Sequence, residues 1–287
     1  MKSILPGSLL AVLFCFAAVC AEAAPAADGP APEAAAAIHA CTPAQLDRLL
    51  KQLRSREPRF QKRLAALARR YAGAPYCADP LENEQEQWLP YDRTNCTMFV
   101  LYVAALANSG SLQEARRHMR YAHYRGGSVG FRQRYHFTTD RITDPANSYF
   151  SVITARQVTD PSRLADAAVT LNRKKDGGFF FGGRLDGWSR AVTLRYIPRD
   201  GFRPGMLKPL PEVTGIAFVK ASNWQKGIVV GHEGLLVGGD LYHSSLSAGV
   251  CVVKAYFETA FAGSAWEGAI LFSINEVPAA SGGREWP

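Results

Sequence analysis

The most continuous apolar pattern in the interior of the chain covers residues 97–107, directly after the polar stretch 91–95. This segment carries no charge and has no polar face, which predicts a helix that is buried on all sides. Cys96 stands at its start, so the pattern places a thiol at a helix N-terminus. There the helix dipole and unpaired N–H groups favour the thiolate over the thiol. On this stretch alone, a nucleophile and a structural core cysteine are equally good interpretations.

The pattern elsewhere predicts helices in the first half and strands in the last third. Thr42 and Gln45 have the spacing of a capping box before leucines at helical intervals, and Ser111 and Glu114 have it before a second amphipathic stretch. Apolar segments punctuated by glycine then indicate an antiparallel sheet. Helices followed by a sheet predict an α+β fold, with residues 41–287 as one domain. The predicted strands span residues 215–221, 227–237, 241–254 and 268–274.

The N-terminus has the pattern of an export signal over residues 1–24. Lys2 precedes an uncharged apolar run, and Ala-Glu-Ala follows at 21–23 as a cleavage signal. Residues 25–40 are rich in alanine and proline and predict a disordered leader. We therefore expect an exported protein, periplasmic or extracellular, without stable membrane insertion after cleavage. An uncleaved membrane anchor is the minor alternative.

Export changes the interpretation of the cysteines. Four remain after signal cleavage: Cys41, Cys77, Cys96 and Cys251. In an oxidising compartment they could form two disulfides. Their uneven contexts favour one free thiol instead, with a bridge between Cys41 and Cys77. No tight cluster of cysteine and histidine is present, so a structural zinc site is not expected.

The chain is basic, with 33 Lys and Arg against 25 Asp and Glu and a net charge of +8. Given export, nucleic acid is not an expected partner. A basic cleft concentrates anionic ligands, so a cell-wall glycopeptide fits the charge better.

Two histidines are predicted to share one face of the sheet. Gly238 and Gly239 form a two-residue hairpin signal, which places His232 opposite Ser245. His243 then lies two residues from that position, and such diagonal neighbours are roughly 7–8 Å apart. A shift of one residue in the register would separate the two rings.

A thiol and two imidazoles are the groups that a cysteine hydrolase needs. One imidazole takes the proton from sulfur, and a second polar group orients that imidazole. The alternatives are ordinary hydrogen-bonded histidines of the sheet, or a zinc site of two histidines and one cysteine.

Residues 124–210 form a large insertion that begins with an unusual stretch. Arg134, Tyr135, His136 and Asp140 crowd cations, aromatic rings and an acid into a segment without periodicity. This is typical either of a surface loop held by its own salt bridges or of a loop that recognises substrate. Tyr76 likewise is either a packed loop aromatic or a polar helper beside the thiol.

Four motifs occur in a fixed order over roughly residues 60–275. They are Tyr-Ala-Gly-Ala-Pro-Tyr at 71–76, Asn-Cys-Thr-Met-Phe-Val at 95–100, Arg-Tyr-His-Phe with Asp140 at 134–140, and His232 with Leu-Tyr-His-Ser-Ser at 241–245. Together they resemble the DUF1460 group of N-acetylmuramoyl-L-alanine amidase-like proteins, within the NlpC/P60-related papain-like superfamily.

The resemblance implies a papain-like fold without cofactor or metal, in which Cys96 is the nucleophile, His232 the general base and His243 the residue that orients it. The implied substrate is peptidoglycan or a muropeptide, cut between N-acetylmuramic acid and L-alanine. A stem-peptide endopeptidase, another amide hydrolase and a catalytically silent wall-binding protein are the alternatives. The substrate-binding candidates are Tyr76, Arg134, Tyr135, His136, Asp140, Ser244 and Ser245.

Three residues depart from the motifs of that group. Asn95 stands where Asp is frequent, Leu101 where Glu is frequent, and Glu233 where an apolar residue is usual. None of these changes removes a catalytic group, but they leave the bond that is cleaved open.

Overall fold

The computed structural model describes residues 37–78 and 89–277. The predicted signal segment, residues 1–24, lies outside the described residues. Within the two described ranges, no helix is long and apolar enough to cross a bilayer. The predicted leader, residues 25–40, extends too far, because Ile38–Ala40 forms a short 3-10 helix in which Ile38 is fully buried.

The helices of the described ranges lie mainly in the first half of the chain. α1 (Pro43–Arg56) begins with the predicted capping box, in which the side chains of Thr42 and Gln45 accept hydrogen bonds from each other's backbone N–H. At the start of α4 (Leu112–His123) the Ser111 hydroxyl accepts from the Glu114 N–H, but the Glu114 carboxylate accepts from the Gly110 N–H, so this box is half formed. The helices are α1 (Pro43–Arg56), α2 (Phe60–Arg70), α3 (Cys96–Ala107), α4 (Leu112–His123), α5 (Thr138–Thr143), α6 (Thr154–Gln157) and α7 (Tyr256–Thr259).

The strands of the described ranges form one antiparallel sheet. They are β1 (Phe150–Val152), β2 (Ala165–Leu171), β3 (Arg190–Pro198), β4 (Val213–Val219), β5 (Val230–Val237), β6 (Asp240–Ser245), β7 (Gly249–Val253) and β8 (Gly268–Ile274). Their order is β2-β3-β8-β4-β5-β6-β7, and β1 pairs with β8. The predicted α+β class is confirmed. The insertion supplies β2 and β3, which extend the sheet on the far side of β8.

The predicted strand 241–254 divides into β6 and β7. Gly249 opens β7 with a φ of 64°, in the left-handed region that favours glycine. A Cβ atom there would lie 2.2 Å from the carbonyl oxygen of Ala74, so the close approach of these two backbones requires glycine.

The core is organised around α3. From Met98 through Ala107 no residue exposes more than 4% of its surface, which confirms the predicted buried helix. Burying a side chain as large as Phe99 stabilises the fold by about 1.5–3 kcal/mol. The α3 residues belong to one apolar cluster with Ala217 and Val219 of β4, whereas Phe218 belongs to a second cluster. Because side chains alternate along a strand, the sheet carries an apolar core on each face.

The cysteines differ from expectation. The expected bridge between Cys41 and Cys77 is not formed, since both are free thiols. Cys41 donates its S–H to the carbonyl of Ala37, and the backbone N–H of Cys77 donates to the carbonyl of Thr94. Packing and hydrogen bonds, rather than cross-links, hold these segments.

Candidate active site

Cys96 is the first residue of α3, and its neighbours fix its position. The Asn95 side chain caps the helix by accepting a hydrogen bond from the Met98 N–H at 2.8 Å. The carbonyl of Thr94 accepts a hydrogen bond from the Ser244 hydroxyl of β6 at 3.1 Å. The start of α3 is therefore tied to the sheet, and the predicted thiol at the start of a buried helix is confirmed.

The two histidines of β5 and β6 are in direct contact. The hairpin has the predicted register, with Val237 opposite Asp240. Nε2 of His232 lies 2.9 Å from Nδ1 of His243, and the two rings are nearly perpendicular at 89°. The predicted shared face is confirmed, and the two rings form one hydrogen-bonded pair.

Aromatic rings fix the orientation of His232. The rings of Phe218 and Trp266 lie nearly parallel to it, with centroids at 5.7 and 5.9 Å. Burial lowers the pKa of His232 to about 3, with a smaller contribution from His243, and burial lowers the pKa of His243 to about 4. Both imidazoles are therefore neutral at neutral pH, with one proton on each ring.

Cys96 and His232 line the same pocket, which has a volume of about 140 Å³. His243 engages Nε2 of His232, so Nδ1 is the ring nitrogen that does not take part in that contact. Within residues 37–78 and 89–277, no three His, Cys, Asp or Glu side chains are grouped as ligands for one metal ion. The pocket wall includes the rings of His136, Phe137, Phe180 and Phe181.

The thiol of Cys96 is neutral at neutral pH. Burial is the main cause that raises its pKa to about 11, and the negative charge of Glu233 adds to the rise. Hydrogen bonds from the Glu233 backbone and from Thr97 lower it by less. The prediction that the helix N-terminus leaves the thiolate favoured is wrong, because burial outweighs the hydrogen bonds that lower the pKa of Cys96. The site therefore holds a neutral thiol and a neutral imidazole.

This raised pKa has a measurable consequence. We expect the rate of Cys96 alkylation by iodoacetamide to rise about tenfold per pH unit from pH 7 to about pH 10, because the thiolate fraction keeps growing below the pKa. The rate is measured by mass spectrometry of the Cys96 peptide. In urea the same peptide should instead level off above an ordinary cysteine pKa of about 8.5. A plateau from pH 5 upward in the folded protein would reveal a thiolate–imidazolium pair and contradict the neutral pair.

A family match covers most of this arrangement. The N-acetylmuramoyl-L-alanine amidase-like (AmiA-like) family matches residues 66–257, which is more than half of the 287-residue chain. Cys96, His232 and His243 all lie inside the match. The chain belongs to this family. The resemblance to the DUF1460 group is thereby confirmed, and its link to the NlpC/P60 superfamily stays a prediction.

Solved structures share the fold of this AmiA-like chain. A Legionella pneumophila protein of the DUF1460 family is 14% identical, with a TM-score of 0.61, and the match covers 81% of this chain and 94% of that one. An N-acetylmuramoyl-L-alanine amidase from Bacteroides uniformis is 19% identical, with a TM-score of 0.56, and the match covers 75% and 98%. At these identities the likeness shows the fold alone. No curated protein matches the chain.

The departures from the family motifs have structural explanations. Asn95 caps α3, a role in which asparagine and aspartate are equally effective. Leu101 is fully buried within α3, where an apolar side chain is required. Both changes are therefore compatible with the position of the thiol.

Glu233 fastens α5 to the sheet beside the pocket. Its carboxylate accepts hydrogen bonds from Nη2 of Arg141 at 2.5 Å and from the Thr138 hydroxyl at 2.8 Å. The side chains of Glu233 and Arg141 expose 1% and 0% of their surface, and the guanidinium also lies over the Phe150 ring at 4.8 Å. A buried charge of this kind requires its partner. The residue that departs from the family pattern therefore anchors the α5 segment and lines the same pocket as the thiol.

Among the substrate-binding candidates of the predicted recognition loop, only His136 lines the pocket, beside its neighbours Phe137, Thr138 and Thr139. Nε2 of His136 lies 2.6 Å from the carbonyl of Phe131, to which it donates. Asp140 is 1% exposed and accepts hydrogen bonds from Arg125 and from Arg190, the latter at 2.8 Å. These contacts hold the loop together, as the surface-loop interpretation expects, while His136 follows the substrate-recognition interpretation.

Among the described residues, the lining of the pocket does not include the other substrate-binding candidates. The Tyr135 hydroxyl donates to Asp144 at 2.8 Å, and the Ser245 hydroxyl accepts from the Ala248 N–H at 3.1 Å. Tyr76 is half-buried; burial raises its pKa, and Cys96 contributes, so its hydroxyl lies within electrostatic range of the thiol. The candidates placed outside the lining are Tyr76, Arg134, Tyr135, Asp140, Ser244 and Ser245.

Several groups around the site are not predicted by the sequence pattern. Phe180 and Phe181 come from the insertion, where an aromatic run between two glycine pairs was the available signal. The sequence pattern assigns no role to Cys251, although its Sγ lies 3.4 Å from Nε2 of His243. Such contacts join segments whose packing is set by the whole fold.

Proposed function

We propose that this chain is an exported, cysteine-dependent amidase. It hydrolyses the amide bond between N-acetylmuramic acid and L-alanine in peptidoglycan or muropeptides. The observation that carries the proposal is the shared pocket of Cys96 and His232, with His243 bonded to the far side of the His232 ring. Membership of the amidase-like family supports the substrate class.

In the first half of the proposed reaction, Sγ of Cys96 attacks the lactyl carbonyl of the muramic acid. Nδ1 of His232 takes the thiol proton during the attack, since the thiol is neutral beforehand. The oxyanion that forms is stabilised at the N-terminus of α3, by the backbone N–H of Cys96. His232 then gives its proton to the leaving amine of L-alanine, and a thioester remains on Cys96.

In the second half, water hydrolyses the thioester. His232 takes a proton from the water as its oxygen attacks the thioester carbonyl, and returns it to sulfur as the thiol departs. The muramic acid leaves with a free carboxylate. Throughout both halves, His243 holds the His232 ring in one orientation through the hydrogen bond between the two imidazoles.

The pocket wall suits a glycopeptide. The rings of His136, Phe180 and Phe181 offer flat apolar faces beside the thiol, and aromatic faces pack well against sugar rings and peptide planes. The net charge of +8 favours an anionic wall polymer. The signal pattern of residues 1–24 supports export to the compartment where that polymer occurs. A thiol at the start of a buried helix, packed on an antiparallel sheet with two histidines, supports a papain-like, NlpC/P60-related fold.

Product analysis tests this function. We expect incubation with purified muropeptides to release an intact stem peptide with a free L-alanine amine, together with the unmodified sugar. Mass spectrometry distinguishes this outcome from shortened peptides, which an endopeptidase would produce. Complete absence of turnover by freshly reduced protein, with muropeptides still bound, would overturn the amidase in favour of a wall-binding protein.

The thiol requirement is tested in the same assay. Iodoacetamide is expected to stop turnover, and EDTA is expected to leave it unchanged. Inhibition by EDTA with resistance to iodoacetamide would contradict the cysteine mechanism.

A further inference from the structure

Cys251 continues the line of hydrogen-bonding groups behind the two histidines. It lies on β7 directly opposite His243 of β6 in the antiparallel register. Its Sγ atom is 3.4 Å from Nε2 of His243 and 3.7 Å from the carbonyl oxygen of the same residue. His243 therefore has a partner at each ring nitrogen, with His232 at Nδ1 and Cys251 at Nε2.

The proton positions along this line are linked. To accept the thiol proton at Nδ1, a neutral His232 must carry its own proton at Nε2 and donate it to Nδ1 of His243. His243 then carries its proton at Nε2, where the acceptor is the sulfur of Cys251. The S–H of Cys251 can donate in turn to the His243 carbonyl, so every member of the line has one consistent role.

The opposite arrangement would disable the base. If His243 carried its proton at Nδ1, it would donate to Nε2 of His232. The proton of a neutral His232 would then lie at Nδ1, facing the side where the thiol proton has to be accepted. Nothing in the His232–His243 contact itself selects one direction over the other, because each nitrogen can donate or accept.

We infer that Cys251 is a positioning residue which, by accepting a hydrogen bond from Nε2–H of His243, sets the tautomers that leave His232 able to accept the thiol proton. This inference rests on the proposed function, because it assigns a direction to the proton transfer proposed there. Cys251 is not among the residues that line the pocket of Cys96 and His232. It acts through His243, in the way that the partner on one nitrogen of an imidazole decides which nitrogen is protonated.

The test compares four variants of the folded protein. Cys251→Ala removes the acceptor, Cys251→Ser keeps one, Cys41→Ala is a control at a free thiol on a different segment, and His243→Ala marks complete loss of the orienting ring. We expect Cys251→Ala to lower kcat on muropeptides about tenfold to a hundredfold, as loss of an outer partner of a functional histidine does. KM should change little, Cys251→Ser should recover most of the loss, and Cys41→Ala should match wild type.

A spectroscopic measurement separates positioning from a structural effect. Long-range ¹H–¹⁵N NMR of histidine-labelled protein reports which nitrogen carries the proton. We expect His243 to be protonated at Nε2 in wild type and in Cys251→Ser, and to gain the Nδ1-protonated form in Cys251→Ala. An unchanged His243 tautomer in Cys251→Ala would overturn the inference, whatever happens to kcat. Wild-type kcat in Cys251→Ala would also overturn it.

The two proposals fail in different ways. Full turnover by a Cys96→Ala variant would remove the cysteine mechanism, but the NMR result for His243 would still decide the role of Cys251. Conversely, an unchanged tautomer with turnover that still depends on Cys96 would leave the amidase mechanism standing and remove Cys251 from it.

Discussion

Replacement of Cys96 by alanine is expected to lower turnover of muropeptides by about 10⁴-fold or more, as removal of a nucleophile does in acyl-transfer enzymes. The reason is that no other group supplies the covalent intermediate, whereas the pocket and the two histidines remain. Cys96→Ser is expected to be almost as inactive, because the neutral His232 is a weak base for a hydroxyl of much higher pKa than a thiol. Turnover is measured by mass spectrometry of released stem peptide.

The Cys96→Ala variant is expected to fold normally. The cap of α3 by Asn95 and its apolar surface do not involve the sulfur, and alanine has a higher helix propensity than cysteine. We therefore expect the free energy of unfolding to change by less than about 1 kcal/mol. Cys41→Ala serves as the matched control and should keep wild-type turnover. Retention of wild-type turnover by Cys96→Ala would remove this thiol from the mechanism.

Replacement of Glu233 by glutamine is expected to lower the free energy of unfolding by about 3–5 kcal/mol, the cost of leaving one member of a buried ion pair without its partner. The shape of the side chain is kept, so the loss comes from the uncompensated charge of Arg141, which is 0% exposed. Urea denaturation measures this loss as a lower midpoint, while the slope of the free energy of unfolding against urea concentration stays unchanged.

The matched control is Glu212→Gln. Glu212 pairs with Lys62 at 2.9 Å on the surface, where the lysine side chain is 46% exposed, so the expected loss is below about 1 kcal/mol. A combined Glu233→Leu and Arg141→Met variant should regain much of the lost stability, because an apolar pair needs no charge partner. Equal destabilisation by Glu233→Gln and Glu212→Gln would contradict the buried pair as the anchor of α5.

Glu233→Gln has a second expected effect, on the thiol. Its negative charge is one of the causes that raise the pKa of Cys96, so its removal should move that pKa downward towards the ordinary value. In the alkylation experiment, the rate of Cys96 alkylation in this variant should therefore rise at lower pH than in wild type. Burial, the larger cause, remains, so the shift should be partial.

Local patterns predicted much of this molecule because their causes are local. The uncharged apolar stretch of α3 is stabilised by removal from water, which places it in the core. The Thr42 capping box needs only the side chains and backbone N–H groups of two residues three positions apart. The hairpin is a second case. Two glycines set the register of β5 and β6, and the period of two along a strand then brought His232 and His243 to one face.

Other features follow from packing between distant segments. The charge of Glu233 is held by Arg141, 92 residues away, and the pocket wall takes Phe180 and Phe181 from an insertion without periodicity. The expectation of a Cys41–Cys77 bridge was wrong, because composition and compartment do not determine which thiols lie close enough to pair.

The amino-acid sequence by itself determined the buried helix with Cys96 at its start, the shared face of the two histidines and the family. The tertiary structure alone decided the state of the thiol. A helix dipole is a local property and favours the thiolate, but desolvation depends on everything packed around the sulfur, and here it raises the pKa to about 11. The same dependence on packing placed Cys251 against His243, where the direction of the proton transfer is set.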